Sequence, residues 1–286
     1  MRITRLLPVI LCAGMSTTSL SQDDSSSWTD DVRFFSHRRP MIGMYYGASS
    51  GSLQDFPALA KPGIGELRLG GVKSSEREDN TVATRVSYVI LANLSTRLRS
   101  GASGTETEAE QWRFGPGWEK GYGYGSPGVP DLILYNGNGF TWTQLHVRRP
   151  STFPLVPVPL DPAPMVDRFE GGFRFGTRTE GGVRVRVSPF LLLDAAYERA
   201  LIFPRHLVWK WGGSLGLEAA CHWALDEFIE RIGETSPAAV PVVNFVLRNG
   251  LSYAVYQLRR TAMNYPFSSE APLVNDSFKV GVAFVF

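Results

Sequence analysis

The sequence predicts an all-β fold: a closed, antiparallel, up-and-down transmembrane β-barrel of about ten strands (range eight to twelve), with one short helical insert near 220–233. Three observations predict it. Long segments alternate apolar and polar residues with period two. The polar positions carry more arginine than a dry sandwich core would hold, 24 of the 29 basic residues being Arg. The chain also opens with the features of an export signal. Mean hydropathy is −0.08, and past the signal no segment offers the ~18 uncharged apolar residues that a spanning helix needs. A barrel evades that test, because its strands alternate lipid-facing and lumen-facing residues.

The elements follow in chain order. Arg2 and Arg5 precede an apolar stretch from Leu6 to Met15, and Ser19-Leu20-Ser21 forms a small-x-small pattern before Gln22. This reads as a signal peptide over 1–21. Cys12 follows Leu11, where a lipidation signal would place a small residue, so no lipid anchor is expected. Removing the signal leaves 27 basic and 27 acidic residues, a balance that argues against nucleic acid as a partner. It also leaves Cys221 alone, so no internal disulfide frames the fold. Residues 22–40 are polar and read as a flexible leader; the barrel is expected over 41–286.

Five long strands are clear. In 84–99, Val86, Tyr88, Ile90, Leu94 and Leu98 oppose Arg85, Ser87, Asn93, Ser95 and Arg97. Phe169, Phe173 and Phe175 oppose Glu170, Arg174 and Arg178, and a tight turn is expected at Thr179-Glu180-Gly181-Gly182. Val183, Val185, Val187, Leu191 and Leu193 then oppose Arg184, Arg186, Asp194 and Glu198. Residues 206–219 alternate Leu207, Trp209, Trp211, Leu215 and Leu217 with His206, Lys210, Ser214 and Glu218, and the fifth strand closes the chain. Weaker strands are 41–48, 63–73, 111–124, 140–148 and 242–258. In the last of these, Asn249-Gly250 allows either a hairpin or a continuation of the helical insert. The insert itself rests on Leu225, Phe228, Ile229 and Ile232, which share a helical face, with Gly233 placed to cap it. With the last strand descending to the periplasm, the loops 49–62, 99–110 and 149–167 face outward. The third of these contains a run with six prolines, which excludes an interior strand.

The terminal SFKVGVAFVF places Phe278, Val280, Val282, Phe284 and Phe286 on one face. This resembles the C-terminal assembly signal of bacterial outer-membrane β-barrel proteins. The resemblance implies an outer-membrane location, with lipid and lipopolysaccharide as surroundings and the barrel-assembly machinery as a partner during biogenesis. It covers about ten residues, matches no specific family within the class and carries over no functional residues.

Inward positions give the candidate site. Arg68, Arg85, Arg97, Arg174, Arg178, Arg184, Arg186, Lys210 and Lys279 face Glu66, Glu170, Asp194, Glu198 and Glu218. Two readings follow: an electropositive lumen that favours anions, or a salt-bridged interior that fills the barrel. Arg99, Arg148 and Arg149 fall near outer rims, where paired hydrogen bonds suit lipopolysaccharide phosphate. No metal-ligand spacing appears among His37, His146, His206 and His222, and no cofactor is expected. His146 with Ser151 and Asp161 is the best hydrolytic combination, a weak one. GYGYG (Gly121 to Gly125) lacks the strand–loop–helix context of a phosphate loop. The expected role is therefore a non-catalytic, monomeric barrel, structural or binding through its outward loops. A narrow channel with anion preference and a rim-located hydrolase are the alternatives.

Overall fold

The computed structural model describes residues 38–53, 61–76, 80–98, 108–126, 129–148 and 167–286. The expected signal and most of the leader lie outside these. Eight antiparallel strands close into a barrel in sequence order: β1 (Arg39–Ser52), β2 (Gly63–Glu76), β3 (Thr81–Ser95), β4 (Glu108–Ser126), β5 (Val129–Arg148), β6 (Phe173–Ser188), β7 (Leu191–Ile202) and β8 (Leu273–Val285). β8 pairs with both β7 and β1, which removes every free sheet edge. Connections at the end where β1 begins and β8 ends (the terminal end of the barrel) are short, with Pro189-Phe190 alone joining β6 to β7. Those at the far end are long, and the loops expected to face outward all lie there. The longest, 203–272, carries two helices, α1 (Val208–Thr235) and α2 (Val240–Arg259).

The count of eight corrects the expected ten, and each difference has a physical cause. Residues 206–219 alternate over a few positions only. From Leu217 to Phe228 the chain is dense in Leu, Ala and Glu, which favour helix, and no proline separates this stretch from the residues before it. The helix therefore extends backward through Gly212, Gly213 and Gly216. The ring of Phe267 packs within 2.7 Å of where a Gly213 side chain would begin. Residues 242–258 also become helix, α2.

The turn expected at Thr179–Gly182 is not a turn. β6 runs through it, pairing Thr179 with Asn138 and Arg199, and the preceding strand expected from Phe169 is the same strand. The glycine here serves close approach rather than reversal. A side chain on Gly182 would begin 2.5 Å from the Tyr135 ring.

Side chains alternate between the two faces of the wall. Ile42, Met44, Leu69, Val89, Leu91, Leu193, Phe278 and Val280 face outward and are exposed. Two apolar layers line the interior. One, towards the start of β1, is built by Met41, Val72, Val86, Ile90, Leu192, Ala283 and Val285. The other, at the far end, is built by Leu145, Phe169, Ile202 and Leu273. An aromatic group on the outer wall towards the far end stacks Phe114 on Trp142 at 5.8 Å and sets Phe173 edge-on to Phe114 at 5.1 Å. It resembles the interfacial girdle of membrane barrels.

Candidate functional site

Between the two apolar layers lies a buried charged layer whose ionic groups come from β2, β4, β6, β7 and β8, with Tyr45, Tyr88 and Tyr135 added by β1, β3 and β5. Its cations are Arg68, Arg113, Arg178, Arg184 and Lys279; its anions are Glu66, Glu119, Glu180, Asp194 and Glu198. Arg68 is the hub, reaching Glu66 at 2.6 Å, Glu119 at 2.7 Å and Glu180 at 2.7 Å. Its guanidinium also lies 4.0 Å from the centre of the Tyr45 ring and 4.7 Å from that of Tyr88. Arg184 bridges Glu119 at 2.8 Å and Asp194 at 3.0 Å. Arg113 and Arg178 share Glu198, at 2.5 and 2.8 Å. Tyr45 and Tyr135 donate hydroxyl hydrogen bonds to Asp194 and Glu180, both at 3.1 Å, and Arg178 donates to the Tyr88 oxygen.

Glu66, Glu180 and Glu198 converge so that one oxygen from each lies within 4.8 Å of the others. Three carboxylates this close demand a cation. The Lys279 ammonium supplies it, at 3.1, 2.8 and 2.7 Å respectively, so a side chain of β8 occupies the centre where a metal ion would otherwise fit.

Glycine makes the layer possible. On β4, Gly117 faces inward, and a side chain there would begin 2.7 Å from the Tyr88 ring and 3.1 Å from Arg178 Nη2. Five positive and five negative groups thus fill the bore with no net charge, and each cation has a carboxylate partner, as burial of charge requires.

Of the residues expected to line the lumen, Arg68, Arg178, Arg184, Glu66, Asp194, Glu198 and Lys279 meet in this layer. Arg186 faces inward nearer the terminal mouth, 3.1 Å from Asp131. Arg174 and Glu170 sit at the far rim, where Glu170 accepts from the Val147 backbone N–H at 2.9 Å.

Four expectations are corrected. Arg85 points outward, because both faces of β3 are apolar and its interior side is the Val86–Tyr88–Ile90 side. Arg97 falls in the 3-10 turn Thr96–Leu98 that follows β3. Lys210 and Glu218 belong to α1, outside the barrel, where Glu218 pairs with Arg259 at 2.9 Å. Arg113, Glu119 and Glu180 complete the layer beyond the residues that the sequence pointed to. The alternation of Trp112, Phe114 and Trp118 was the available signal for the first two, and the turn reading hid the third.

The remaining candidates do not converge. His146 is exposed on β5, while Ser151 and Asp161 lie outside the described residues, as do Arg99 and Arg149. Arg148 ends β5. His206 packs against the rings of Phe175 and Trp211, beside a groove of about 430 Å³ at the far rim. That groove is lined by Trp142, Phe173, Phe175, Phe203 and Trp211, with Arg174 and Arg205.

Neither a protein-family model nor a curated protein sequence matches the chain. Among solved structures it is similar to Neisserial surface protein A (NspA), at 10% identity and a TM-score of 0.42 over 86% of this chain and 97% of that one. It is also similar to Ail, the attachment invasion locus protein of Yersinia pestis (9%, TM-score 0.33, 87% and 99%). A third is the outer membrane protein OprG from Pseudomonas aeruginosa (10%, TM-score 0.26, 87% and 97%). The membrane reading of this chain rests on its own two faces, apolar outside and charged within.

Proposed function

We propose that this chain is a monomeric bacterial outer-membrane barrel with a sealed bore, whose role is non-catalytic: it anchors and displays the long connections at its far end as a binding surface. The observation that carries this reading is the balanced charged layer, enclosed between two apolar layers. A bore in which every cation already holds a carboxylate offers a passing anion no site. The exposed apolar belt supplies the lipid contact, and the aromatic groove at the rim, with Arg174 and Arg205, is where an outward partner or lipopolysaccharide would meet the protein. The barrel-assembly machinery is its partner during biogenesis, through Phe278, Val280, Val282 and Phe284 of β8 and the terminal Phe286.

Two measurements test this. Purified protein in planar bilayers should give no unitary conductance; steady channels with anion selectivity would replace this reading by the channel alternative. In fractionated cells, a protein that stays soluble in the periplasm and migrates identically before and after boiling would remove the outer-membrane assignment.

A further inference from the structure

The outer wall of the barrel has two unlike arcs. On β1, β2, β3 and β8 the outward residues are mostly apolar, Lys73 and Arg85 being the charged exceptions. Across β4 to β7 and the start of β8 they include Lys120, Tyr122, Asn136, Asn138, Thr179, Arg199 and Asp276. Such groups facing hydrocarbon without partners are costly. Several of them find partners on α2, which lies along β4, β5 and β6. Asn136 Nδ2 donates to Asn249 Oδ1 at 3.0 Å, and Tyr256 donates to Asp276 at 2.7 Å. The Arg199 guanidinium packs over the rings of Tyr253 and Tyr256.

The helices match this wall by being inverted relative to helices of a water-soluble protein. The buried stripe of α2 is Asn244, Arg248, Ser252, Tyr256 and Arg259, while Val242, Val246, Tyr253 and Leu258 are exposed. In α1, the exposed positions between 211 and 225 are Gly, Ala, Leu217, Cys221 and Trp223. The charges within the pair are turned inward: Glu218 meets Arg259 at 2.9 Å, and Asp226 meets Arg248 and Lys120. The exposed charges of α1 lie at its two ends: Lys210 in the first turn, donating to the Ser268 carbonyl at 2.6 Å, and Glu227, Glu230, Arg231 and Glu234 in the last turns. The latter tip sits beside the terminal end of the barrel, where the Tyr124 hydroxyl donates to the Ala238 carbonyl at 2.7 Å.

We infer that the α1–α2 hairpin lies within the bilayer, with its polar face on the barrel wall and its apolar face against lipid acyl chains. Residues 208–226 of α1 rise ~28 Å at about 1.5 Å per residue, close to the hydrocarbon thickness of ~30 Å. Neither helix is long and apolar enough to cross a membrane alone. Each relies on the wall to satisfy its polar side. The exposed apolar surface continues the lipid belt of the neighbouring strands around the barrel, which is why acyl chains are the occupant.

This inference rests on the outer-membrane reading, and its test separates the two. Cys221, exposed on the outward side of α1, takes a nitroxide label in a Cys12→Ser chain reconstituted in lipid nanodiscs. A label at Val280→Cys, in a chain also carrying Cys221→Ser, reports the barrel's own belt. Collision with oxygen and with a water-soluble nickel chelate is measured at both sites. The expected result is oxygen-rich, nickel-poor behaviour at both. Nickel-rich behaviour at Cys221 alone, or low collision there with both reagents, overturns the hairpin's lipid contact and leaves the barrel in the membrane. Nickel-rich behaviour at position 280 as well overturns the outer-membrane reading and the inference with it.

Discussion

Replacing Lys279 by Met tests whether the charged layer holds the barrel together. Lys279 is completely buried, and its ammonium lies within 3.1 Å of three carboxylates. Methionine is close in length and keeps the packing, but leaves six anionic oxygens to share four guanidinium groups, two of which already serve Glu119 and Asp194. Breaking a buried charge pair by removing one partner costs about 3–5 kcal/mol. With a urea m-value of about 2 kcal/mol/M, the unfolding midpoint should fall by about 2 M. The assay is reversible urea unfolding in lipid vesicles, followed by tryptophan fluorescence and by the mobility shift on boiling. Glu198→Gln should also destabilise, because Arg113 and Arg178 lose their shared acceptor. The double variant restores neutrality and should be more stable than the sum of the two losses by over ~1 kcal/mol, beyond the ~0.5 kcal/mol within which independent sites add. A midpoint for Lys279→Met within 0.5 M of the parent, at about 1 kcal/mol, or strict additivity in the cycle, would refute the layer as a structural unit.

Two further outcomes follow from the outer face and the last strand. Val89 is outward, 48% exposed and central in β3. Val89→Arg should cost ~2–4 kcal/mol in vesicles, the penalty for a cation at the bilayer midplane; an unchanged urea midpoint would place this surface in water. Phe286 is 68% exposed and follows the end of β8. Phe286→Ala should therefore leave stability in vesicles within ~0.5 kcal/mol, as surface substitutions do. It should lower the amount assembled in cells, read as the heat-modifiable fraction in membranes; equal assembly would remove Phe286 from the recognition signal.

The barrel was legible wherever one face of a strand was clearly apolar and the other clearly polar. In β8, Phe278, Val280, Val282 and Phe284 face outward and Lys279 inward, as the alternation requires. The inside of β3 is not legible because this barrel's interior has apolar layers of its own: Val86 and Ile90 belong to one of them, and no periodicity distinguishes that face from the lipid face. The continuity of β6 across Gly181-Gly182 is hidden because a glycine pair that clears room for Tyr135 looks the same in sequence as one that reverses the chain. Part of α1 passes for a strand because a helix docked on a barrel wall hides its polar side, and its Trp209 and Trp211 imitate strand alternation over a few residues. The charged layer was half visible. Residue types and faces gave seven of its members, but partners such as Arg68 and Glu180, 112 positions apart, meet only once the cylinder closes.

Every strand contributes at least one polar side chain to the middle of the cylinder, and this bears on how errors in strand alignment are detected. A slip of one residue in β2, β4, β6, β7 or β8 would turn a charged side chain toward lipid and an outward residue toward the ion pairs, and in β1, β3 or β5 it would turn away Tyr45, Tyr88 or Tyr135. A slip of two would keep the sides correct but displace the charge by ~7 Å along the axis, beyond the reach of its partners. Only one alignment of all eight strands satisfies the whole set, so the electrostatic network works as a combination lock on closure, and misregistered intermediates should stay open and exchange until it is met.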